Sequence, residues 1–403
     1  MTAWADARVL AHRAVRPVAA RDVPLAAACG AVLAADARAR SDLPVADTSA
    51  MDGWAVRGPA PWRVVGEVLA GERPPPLDDG HAVVIATGAV LPPGGDGVLR
   101  REWGVVDGER LTPTPDAPAE VRSPGPVGVD VRRAGEECRA GDVVLPAASP
   151  VTPAAVGLLA AAGLDDVTVR RVRAAVLVLG DELVRRGPAR QGRPRDALGP
   201  LLPAWLAALG VEVAPPVAVA DDAGELAAAL AGGPAAGADV VVTTGSTARG
   251  PVDHLHGVLA AAGARWVVDG VAVRPGHPQV LAVLPDGRPV VGLPGNPLAA
   301  VSGVLTLLEP VVEGLLGLPA REPGEVVLAA AVTAGGDATR LVPVRQGRPL
   351  TFAGPAMLRG LAAADAVAAV PPGGAAAGDA VPALSLPGVR SPAGAGSSSP
   401  SAS

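Results

Sequence analysis

The chain has 403 residues and a formal net charge of −6, which argues against a nucleic-acid binder because such proteins present basic surfaces. Its two cysteines, Cys29 and Cys138, are too few for a disulfide framework or a cysteine-ligated metal cluster. All 34 strong bases are arginines, which indicates a GC-rich coding bias rather than a function. The Ala-rich segments are interrupted by Gly, Pro or charge, so we expect no membrane-spanning stretch and a cytoplasmic protein.

Two stretches of the first 170 residues carry helical patterns. Residues 4–39 place Ala, Leu and Val at mixed spacing between Arg and Asp, which predicts helix until the pattern lapses at Gly30. Residues 151–162 predict a second helix, with Thr152 as its N-cap and Pro153 in its first turn.

The segment between these helices predicts loops and short strands. Residues 41–57 are polar and contain Asp52-Gly53, a tight-turn signal in a loop of small hydroxyls and carboxylates. Residues 62–129 alternate short apolar runs with Gly/Pro turns, which predicts a small β-rich domain. Thr87 directly follows one of these runs.

From residue 173 the pattern changes to alternating strands and helices, which predicts a doubly wound α/β domain. The predicted strands are 174–179, 211–219, 240–243, 264–268 and 290–293, and the predicted helices are 201–210, 224–231, 255–263 and 298–316. After residue 319 short strands return, which predicts a small β-rich C-terminal domain. The tail from Pro387 lacks core-forming residues, so we expect it to be disordered.

The most informative stretch of the α/β region is residues 238–253, ADVVVTTGSTARGPVD. Its apolar β-branched run predicts a strand buried on both faces, ending in a small, hydroxyl-rich turn at Thr244, Gly245 and Ser246. Backbone N–H groups of such a turn can approach an anion closely, and Arg249 could add charge. A plain strand-to-helix turn explains the same residues equally well.

Two further rigid turns follow along the chain. PVVGLPGNP ends in Pro294, Gly295, Asn296 and Pro297, whose residue types fix or permit tight backbone conformations. VRPGHP places Arg274 and His277 on another Pro/Gly-braced loop. The three turns together suggest one pre-formed pocket lined by Arg, His, Asp and hydroxyl groups, suited to an oxyanion or a phosphate.

Seven motifs in this order resemble one family: DTSAMDGWAVRG, ATGAVLP, VRRAGEE, LGDELV, TTGSTARGPVDHL, VRPGHP and GLPGNP. The chain resembles the molybdopterin molybdenumtransferases, the bacterial MoeA proteins and the E domain of gephyrin, from about residue 5 to 385. The resemblance implies an elongated multidomain fold of α/β plus β type. Its parts would be a split helical linker and dimerisation domain (5–44 with 130–170), an inserted β-rich domain (45–129), a molybdopterin-binding α/β domain (171–318), a C-terminal β domain (319–386) and a tail (387–403).

The resemblance also implies an activity and its partners. The reaction is the insertion of molybdate into adenylylated molybdopterin with release of AMP, assisted by Mg²⁺. The active site would lie in a cleft shared between the two subunits of a homodimer. A molybdopterin adenylyltransferase is a further partner that this reaction suggests.

The family motifs transfer site roles to named residues. The catalytic candidates are Asp253, Asp52, Arg274 and His277; the cofactor-binding candidates are Thr87, Thr244, Gly245, Ser246, Pro294, Gly295, Asn296 and Pro297; the Mg²⁺ candidates are Asp253, Glu182 and Asp222. Carboxylate oxygens suit Mg²⁺, but Glu182 could instead cap a helix and Asp222 could be an N-cap.

The residues that differ from the family pattern are charged and hydroxyl positions of the expected active site. Arg274 and His277 stand where the family has lysines, and Ala248 and Ala299 stand where it has hydroxyl groups. An alternative is therefore a non-catalytic homologue that binds molybdopterin or a related cofactor as a carrier or accessory protein. The retained acidic residues and the PGNP turn favour the enzyme.

Overall fold

The structure, a computed structural model, describes residues 1–247 and 253–388. Unit 1 comprises residues 1–21, 30–34 and the chain from residue 169 on, and unit 2 comprises residues 22–29 and 35–168. The finer domain boundaries expected from the sequence stay a prediction. Ala248, Arg249 and the tail from residue 389 lie outside the described residues, as do the expectations attached to them.

The secondary structure of the described residues alternates short strands with short helices. The α-helices are α1 Trp4–Arg13, α2 Ala119–Arg122, α3 Pro153–Ala161, α4 Leu198–Ala208, α5 Ala223–Ala231, α6 Gly233–Ala236, α7 Leu255–Ala261, α8 Pro297–Gly303, α9 Glu309–Leu316 and α10 Arg359–Ala362. The strands are β1 Arg21–Pro24, β2 Val32–Leu33, β3 Ala37–Arg38, β4 Thr48–Ser49, β5 Gly53–Val56, β6 Trp62–Val68, β7 His81–Ile85, β8 Gly97–Arg100, β9 Gly104–Asp107, β10 Arg110–Pro113, β11 Val131–Arg132, β12 Val143–Leu145, β13 Asp166–Arg170, β14 Arg173–Leu179, β15 Glu212–Val213, β16 Val217–Val219, β17 Val240–Thr244, β18 Arg265–Asp269, β19 Val273–Arg274, β20 Val280–Val283, β21 Pro289–Leu293, β22 Gly324–Val327, β23 Thr339–Arg345, β24 Arg348–Pro349, β25 Ala366–Val370 and β26 Ala380–Ser385.

The N-terminal helix is much shorter than the sequence pattern predicts. Helix α1 ends at Arg13, and the rest of the predicted 4–39 helix forms the short strands β1 to β3 and a 3₁₀ turn. Pro17 and Pro24 explain the difference, because proline lacks the N–H group that a continuing helix needs and its ring clashes with the preceding turn. The prediction of one long helix was therefore wrong.

Unit 2 is built on a six-stranded sheet of order β8-β5-β7-β6-β10-β9, in which only β6 and β7 run parallel. This confirms the predicted β-rich segment. Strand β5 begins directly after Asp52, and a Cβ atom at Gly53 would collide with the Leu99 carbonyl oxygen on β8. The expected cap of α3 is also confirmed, since the Thr152 side chain accepts a hydrogen bond from the Ala155 N–H at 3.1 Å.

Unit 1 contains the predicted α/β sheet, with strand order β15-β14-β17-β21-β20-β18 and β16 also paired with β14. Strands β14 to β17 and β21 run parallel, and β20 lies antiparallel between β21 and β18. Val240 packs into a core on one face and Val241 into a core on the other, as expected for a sheet covered on both sides. Pro215-Pro216 divides the predicted 211–219 strand into β15 and β16, because proline cannot donate to the ladder.

The C-terminal part of unit 1 is a second sheet, of order β19-β23-β25-β26-β22 with β24 beside β23. It confirms the predicted β-rich character of the residues after 319. One strand of this sheet comes from elsewhere in the chain, because β19 belongs to the α/β region and runs parallel to β23. The two parts of unit 1 therefore share a ladder at Arg274.

A continuous helix of 20 residues, Pro297–Leu316, lies at the centre of unit 1 and comprises α8, a π-helical turn at Val304–Leu308 and α9. By its length and its mean hydropathy of 1.6 alone, this helix could cross a membrane. Because 94% of its most apolar window is buried inside the protein, we assign it as a core helix.

Glu309 is the buried carboxyl group of this helix. It is 5% exposed, and its Oε1 accepts a hydrogen bond from the Trp205 indole N–H at 2.8 Å. Burial raises the pKa of the Glu309 carboxyl above its ordinary value because the charged form loses its hydration. On the same side, buried Arg8 donates to the carbonyl oxygens of Leu305 and Arg321.

We expect the Glu309→Gln variant to be more stable than the wild type, by an amount that grows with pH. A carboxyl whose pKa is raised in the folded state contributes stability in full at acid pH and loses it as pH rises through the folded pKa. The amide oxygen of glutamine can keep the Trp205 hydrogen bond without a charge. Urea unfolding between pH 4 and 9 measures the difference, with exposed Glu325→Gln as the matched control. A difference that stays constant with pH would contradict this assignment.

Candidate active site

The polar turns of the α/β sheet lie at one edge because its parallel strands end there. Strands β14, β16, β17 and β21 lead into Gly180–Glu182, Asp221–Asp222, Gly245–Thr247 and Pro294–Pro297 respectively. Such an edge is where open α/β sheets bind their ligands. Two of the three turns singled out from the sequence, at Thr244–Ser246 and at Pro294–Pro297, therefore lie at this edge of the α/β sheet.

The turn after β17 packs directly on the turn after β21. Thr244 is buried, and the Gly245 N–H donates to the Leu293 carbonyl oxygen at 2.8 Å. Gly245 and Ser246 both have left-handed backbones, with φ values of +82° and +56°. The Ser246 hydroxyl accepts a hydrogen bond from the His254 N–H at 2.7 Å, which fixes the turn against the start of α7.

A cleft of about 1510 Å³ brings together Arg274, His277, Pro294 and Asn296. Two of the three turns that the sequence suggested as one pocket line this cleft, and Thr244, Gly245 and Ser246 are not among its lining residues. Ala299, one of the positions without the expected hydroxyl, also lines this cleft. Arg274 and His277 are exposed, and neither side chain has a hydrogen bond or ion pair to another described residue. They are therefore available to a ligand.

Arg340 is a second cleft arginine that the sequence reasoning missed. In the parallel ladder between β19 and β23, Arg340 is the direct partner of Arg274, so both side chains lie on one face of the sheet. Arg340 Nη1 donates to the Thr333 carbonyl oxygen at 2.5 Å. Asp337 is an acidic residue of the same wall. Two arginines that are direct partners in the ladder give the cleft a cationic face, and His277 adds a ring nitrogen.

The loop that carries Arg274 and His277 is fastened to α8. Gly276 has a φ of +100° and lies so close to the helix that a Cβ atom there would be 2.6 Å from the Ala299 carbonyl oxygen. The fully buried Gln279 side chain donates from Nε2 to the Gly276 carbonyl oxygen at 2.9 Å. The loop is therefore pre-formed, as its prolines and glycine had suggested.

Asp253 does not line the cleft that contains Arg274 and His277. It lies in a separate cavity of about 800 Å³ formed by α5, α7 and the β20–β21 turn, beside His254. The expectation of a single pocket that includes this aspartate was wrong for the described residues. The role proposed for Asp253 stays a prediction.

The other two Mg²⁺ candidates have different surroundings. Asp222 is the N-cap of α5: its Oδ1 accepts the N–H groups of Gly224 and Glu225 at 2.8 and 3.0 Å, and these bonds lower the pKa of Asp222. Glu182 is exposed on the loop after β14. Within residues 1–247 and 253–388, no group of three or more His, Cys, Asp or Glu side chains is arranged to hold a metal.

The two candidate site residues of unit 2, Asp52 and Thr87, are joined by hydrogen bonds. Asp52 Oδ1 accepts hydrogen bonds from the Thr87 N–H at 2.7 Å and from the Thr87 hydroxyl at 3.0 Å. These two donors lower the pKa of Asp52, which keeps the carboxylate ionised at neutral pH. Thr87 therefore orients this acidic group at the start of β5.

The chain matches two family models: the MoeA N-terminal region (domain I and II) over residues 2–163, and a probable molybdopterin binding domain over residues 175–314. It is 33% identical over 320 residues to the molybdopterin molybdenumtransferase of Synechococcus elongatus, covering 75% of this chain and 77% of that protein. It is also 33% identical over 350 residues to molybdopterin molybdenumtransferase 2 of Mycobacterium tuberculosis, covering 81% of this chain and 83% of that protein.

The fold agrees with these relatives. The crystal structure of the molybdopterin biosynthesis MoeA protein from Pyrococcus horikoshii superposes with a TM-score of 0.75 at 25% identity, covering 96% of this chain and 99% of that one. The resemblance seen in the motifs thus extends over the length of the chain. The chain belongs to the molybdopterin molybdenumtransferase family, whose members act in molybdenum cofactor biosynthesis.

Proposed function

We propose that this protein inserts molybdate into adenylylated molybdopterin and releases AMP. The observation that carries the proposal is the pairing of Arg274 with Arg340 in the cleft that also contains His277 and the PGNP turn. Molybdate is a dianion and the second substrate carries a pyrophosphate, so the reaction needs several cationic donors in one rigid cleft. The family membership supports the same activity.

The two guanidinium groups suit oxyanion recognition. Arginine is always protonated and presents its N–H donors in a planar fork that matches two oxygens of an anion. Since Arg274 replaces a lysine of the family pattern, it binds with a fork where a lysine offers a point charge. His277 adds a further donor on the same loop. We assign Arg274, Arg340 and His277 to the binding of molybdate and phosphate oxygens.

We propose Mg²⁺ as an ion that assists this reaction. Asp222 already caps α5 through its Oδ1, and Asp253 faces the second cavity. The described residues therefore do not form a magnesium site built from protein ligands alone. Mg²⁺ typically takes one or two carboxylates together with phosphate and water oxygens, so the test includes removal of the ion.

We also propose that the working form is a cytoplasmic homodimer with a shared active site, supplied by a molybdopterin adenylyltransferase. Asp52 of unit 2, held in place by Thr87, would contribute a carboxylate from one subunit to the cleft of the other. Their mutual hydrogen bonds, which hold an ionised carboxylate in a fixed position, support that role.

The test is AMP release from adenylylated molybdopterin, measured with and without molybdate, with Mg²⁺ or EDTA. We expect release that depends on molybdate and falls when Mg²⁺ is chelated. The Asp253→Asn variant tests the remaining acidic candidate: an unchanged rate would remove Asp253 from the chemistry and leave the cleft residues in place. Tight binding of the substrate by the wild type without AMP release would identify a carrier and overturn the proposed reaction.

A further inference from the structure

Phe352, the single phenylalanine of the chain, lines the same cleft as the two arginines. Its side chain is 48% exposed. A lone exposed apolar residue is ordinary on a protein surface. The backbone of this residue, the loop around it and the neighbouring Arg359 distinguish it from an ordinary surface side chain.

The backbone of Phe352 is held in an unfavourable conformation. Its φ of +58° lies in the left-handed region, which is rare for a bulky residue because its Cβ then crowds the following carbonyl oxygen. Residues held in this way are concentrated at binding and active sites, where the surrounding structure enforces the geometry.

The loop around Phe352 is fixed by close contacts within unit 1. The Pro355 carbonyl oxygen accepts the N–H groups of Leu298 and Ala299, at 2.8 and 3.2 Å, at the start of α8. Gly360 lies so close that a Cβ atom there would be 2.5 Å from the Thr351 carbonyl oxygen. The aromatic ring is therefore presented from a rigid loop that is joined to the PGNP turn.

Arg359 supports the ring from one side. Its guanidinium carbon lies 4.6 Å from the centroid of the Phe352 ring, a distance at which a cation is attracted to an aromatic face. This contact restrains the ring and leaves the rest of its surface to the cleft. A planar aromatic ligand can stack on such a surface, because offset stacking is a favoured arrangement of aromatic rings.

We propose that Phe352 is the stacking surface for the pterin ring of the substrate; this inference rests on the proposed function. Arg274 and Arg340 provide cationic donors for the anionic groups. Apart from the His277 imidazole, Phe352 provides the only aromatic ring among the described residues that line the cleft. One ligand with a flat heteroaromatic ring and several negative charges matches both features. Phe352 is thus a determinant of specificity for the pterin.

The test compares three variants at this position: Phe352→Ala, Phe352→Leu and Phe352→Tyr. We expect the alanine and leucine variants to weaken binding of adenylylated molybdopterin about tenfold, as loss of a stacking partner does for nucleic-acid bases, with an unchanged KM for molybdate. The tyrosine variant keeps the ring and should bind as the wild type does. Quenching of pterin fluorescence in the absence of molybdate measures binding. Val327→Ala, an exposed substitution on β22, is the control.

Each result supports or overturns the inference. Wild-type binding by Phe352→Ala, or by Phe352→Leu, would overturn it, since leucine supplies apolar bulk without a ring. A change in oligomeric state without a change in pterin binding would assign Phe352 to a subunit contact instead. If the wild type binds pterin but releases no AMP, while Phe352→Ala loses binding, the proposed reaction fails and the stacking surface stands.

Discussion

Replacing Arg274 and Arg340 together with glutamine is expected to abolish molybdate-dependent AMP release, while each single variant keeps a weak activity. A hydrogen bond to a charged group contributes about 1.5–3 kcal/mol, so each single replacement should raise the KM for molybdate about tenfold to a hundredfold. The two residues are neighbours in the β19–β23 ladder, and the effects of neighbours are not additive. In each single variant the remaining arginine still holds one side of the anion.

The control for this experiment lies on the same strand. Arg345 ends β23, is exposed, and does not line the cleft. We expect Arg345→Gln to leave the KM for molybdate unchanged, which separates the loss of cleft charge from the loss of any arginine on this sheet. Because Arg340 also bonds the Thr333 carbonyl oxygen, thermal unfolding of each variant should accompany the kinetics. A double variant with a wild-type KM would show that molybdate binds elsewhere.

The meeting of the turn after β17 with the PGNP turn after β21 could be predicted from the sequence, because short apolar runs that end in rigid turns mark strand ends. In a parallel sheet those ends lie at one edge. The N-caps at Thr152 and Asp222 could also be predicted from the sequence, since the hydroxyl or carboxylate precedes the first helical turn. Local signals were sufficient wherever the neighbouring residues alone determine the geometry.

Arg340 could not be found in this way. Its partner strand β19 has only two residues and joins a sheet whose other strands come from the C-terminal region. No periodic pattern survives in so short a strand, so the pairing that brings the two arginines together depends on the folded structure. The placement of Asp253 was missed for a related reason: a motif gives the order of residues but not the cavity that each side chain faces.

The 20-residue helix Pro297–Leu316 agrees with the predicted helix 298–316. Pro310 does not break it, because proline is tolerated in the first turn of α9, directly after the π-helical turn. The burial of this helix gives the loop at Arg274–His277 a rigid base, because the carbonyl oxygen of Ala299 on α8 lies directly under Gly276.

Because of this close contact between Gly276 and α8, we expect the Gly276→Ala variant to have a kcat/KM a hundredfold or more below that of the wild type. The new methyl group would lie 2.6 Å from the Ala299 carbonyl oxygen and 3.1 Å from Ser302 Cβ, so the loop must move off α8. Arg274 and His277 would then move with the loop, and misplacement by about 1 Å can cost a hundredfold in rate. We expect a simultaneous loss of stability of about 1–3 kcal/mol from overpacking.

Gly287→Ala is the matched comparison, because it separates backbone strain from displacement of the loop. Gly287 also has a positive φ, of +91°, but a Cβ atom there would meet open space in the β20–β21 turn. This variant should lose about 1–2 kcal/mol through its left-handed backbone and keep its kcat/KM. Steady-state kinetics and urea unfolding of both variants decide the matter. If Gly276→Ala loses stability but keeps its kcat/KM, the loop at Arg274 and His277 is not part of the active site.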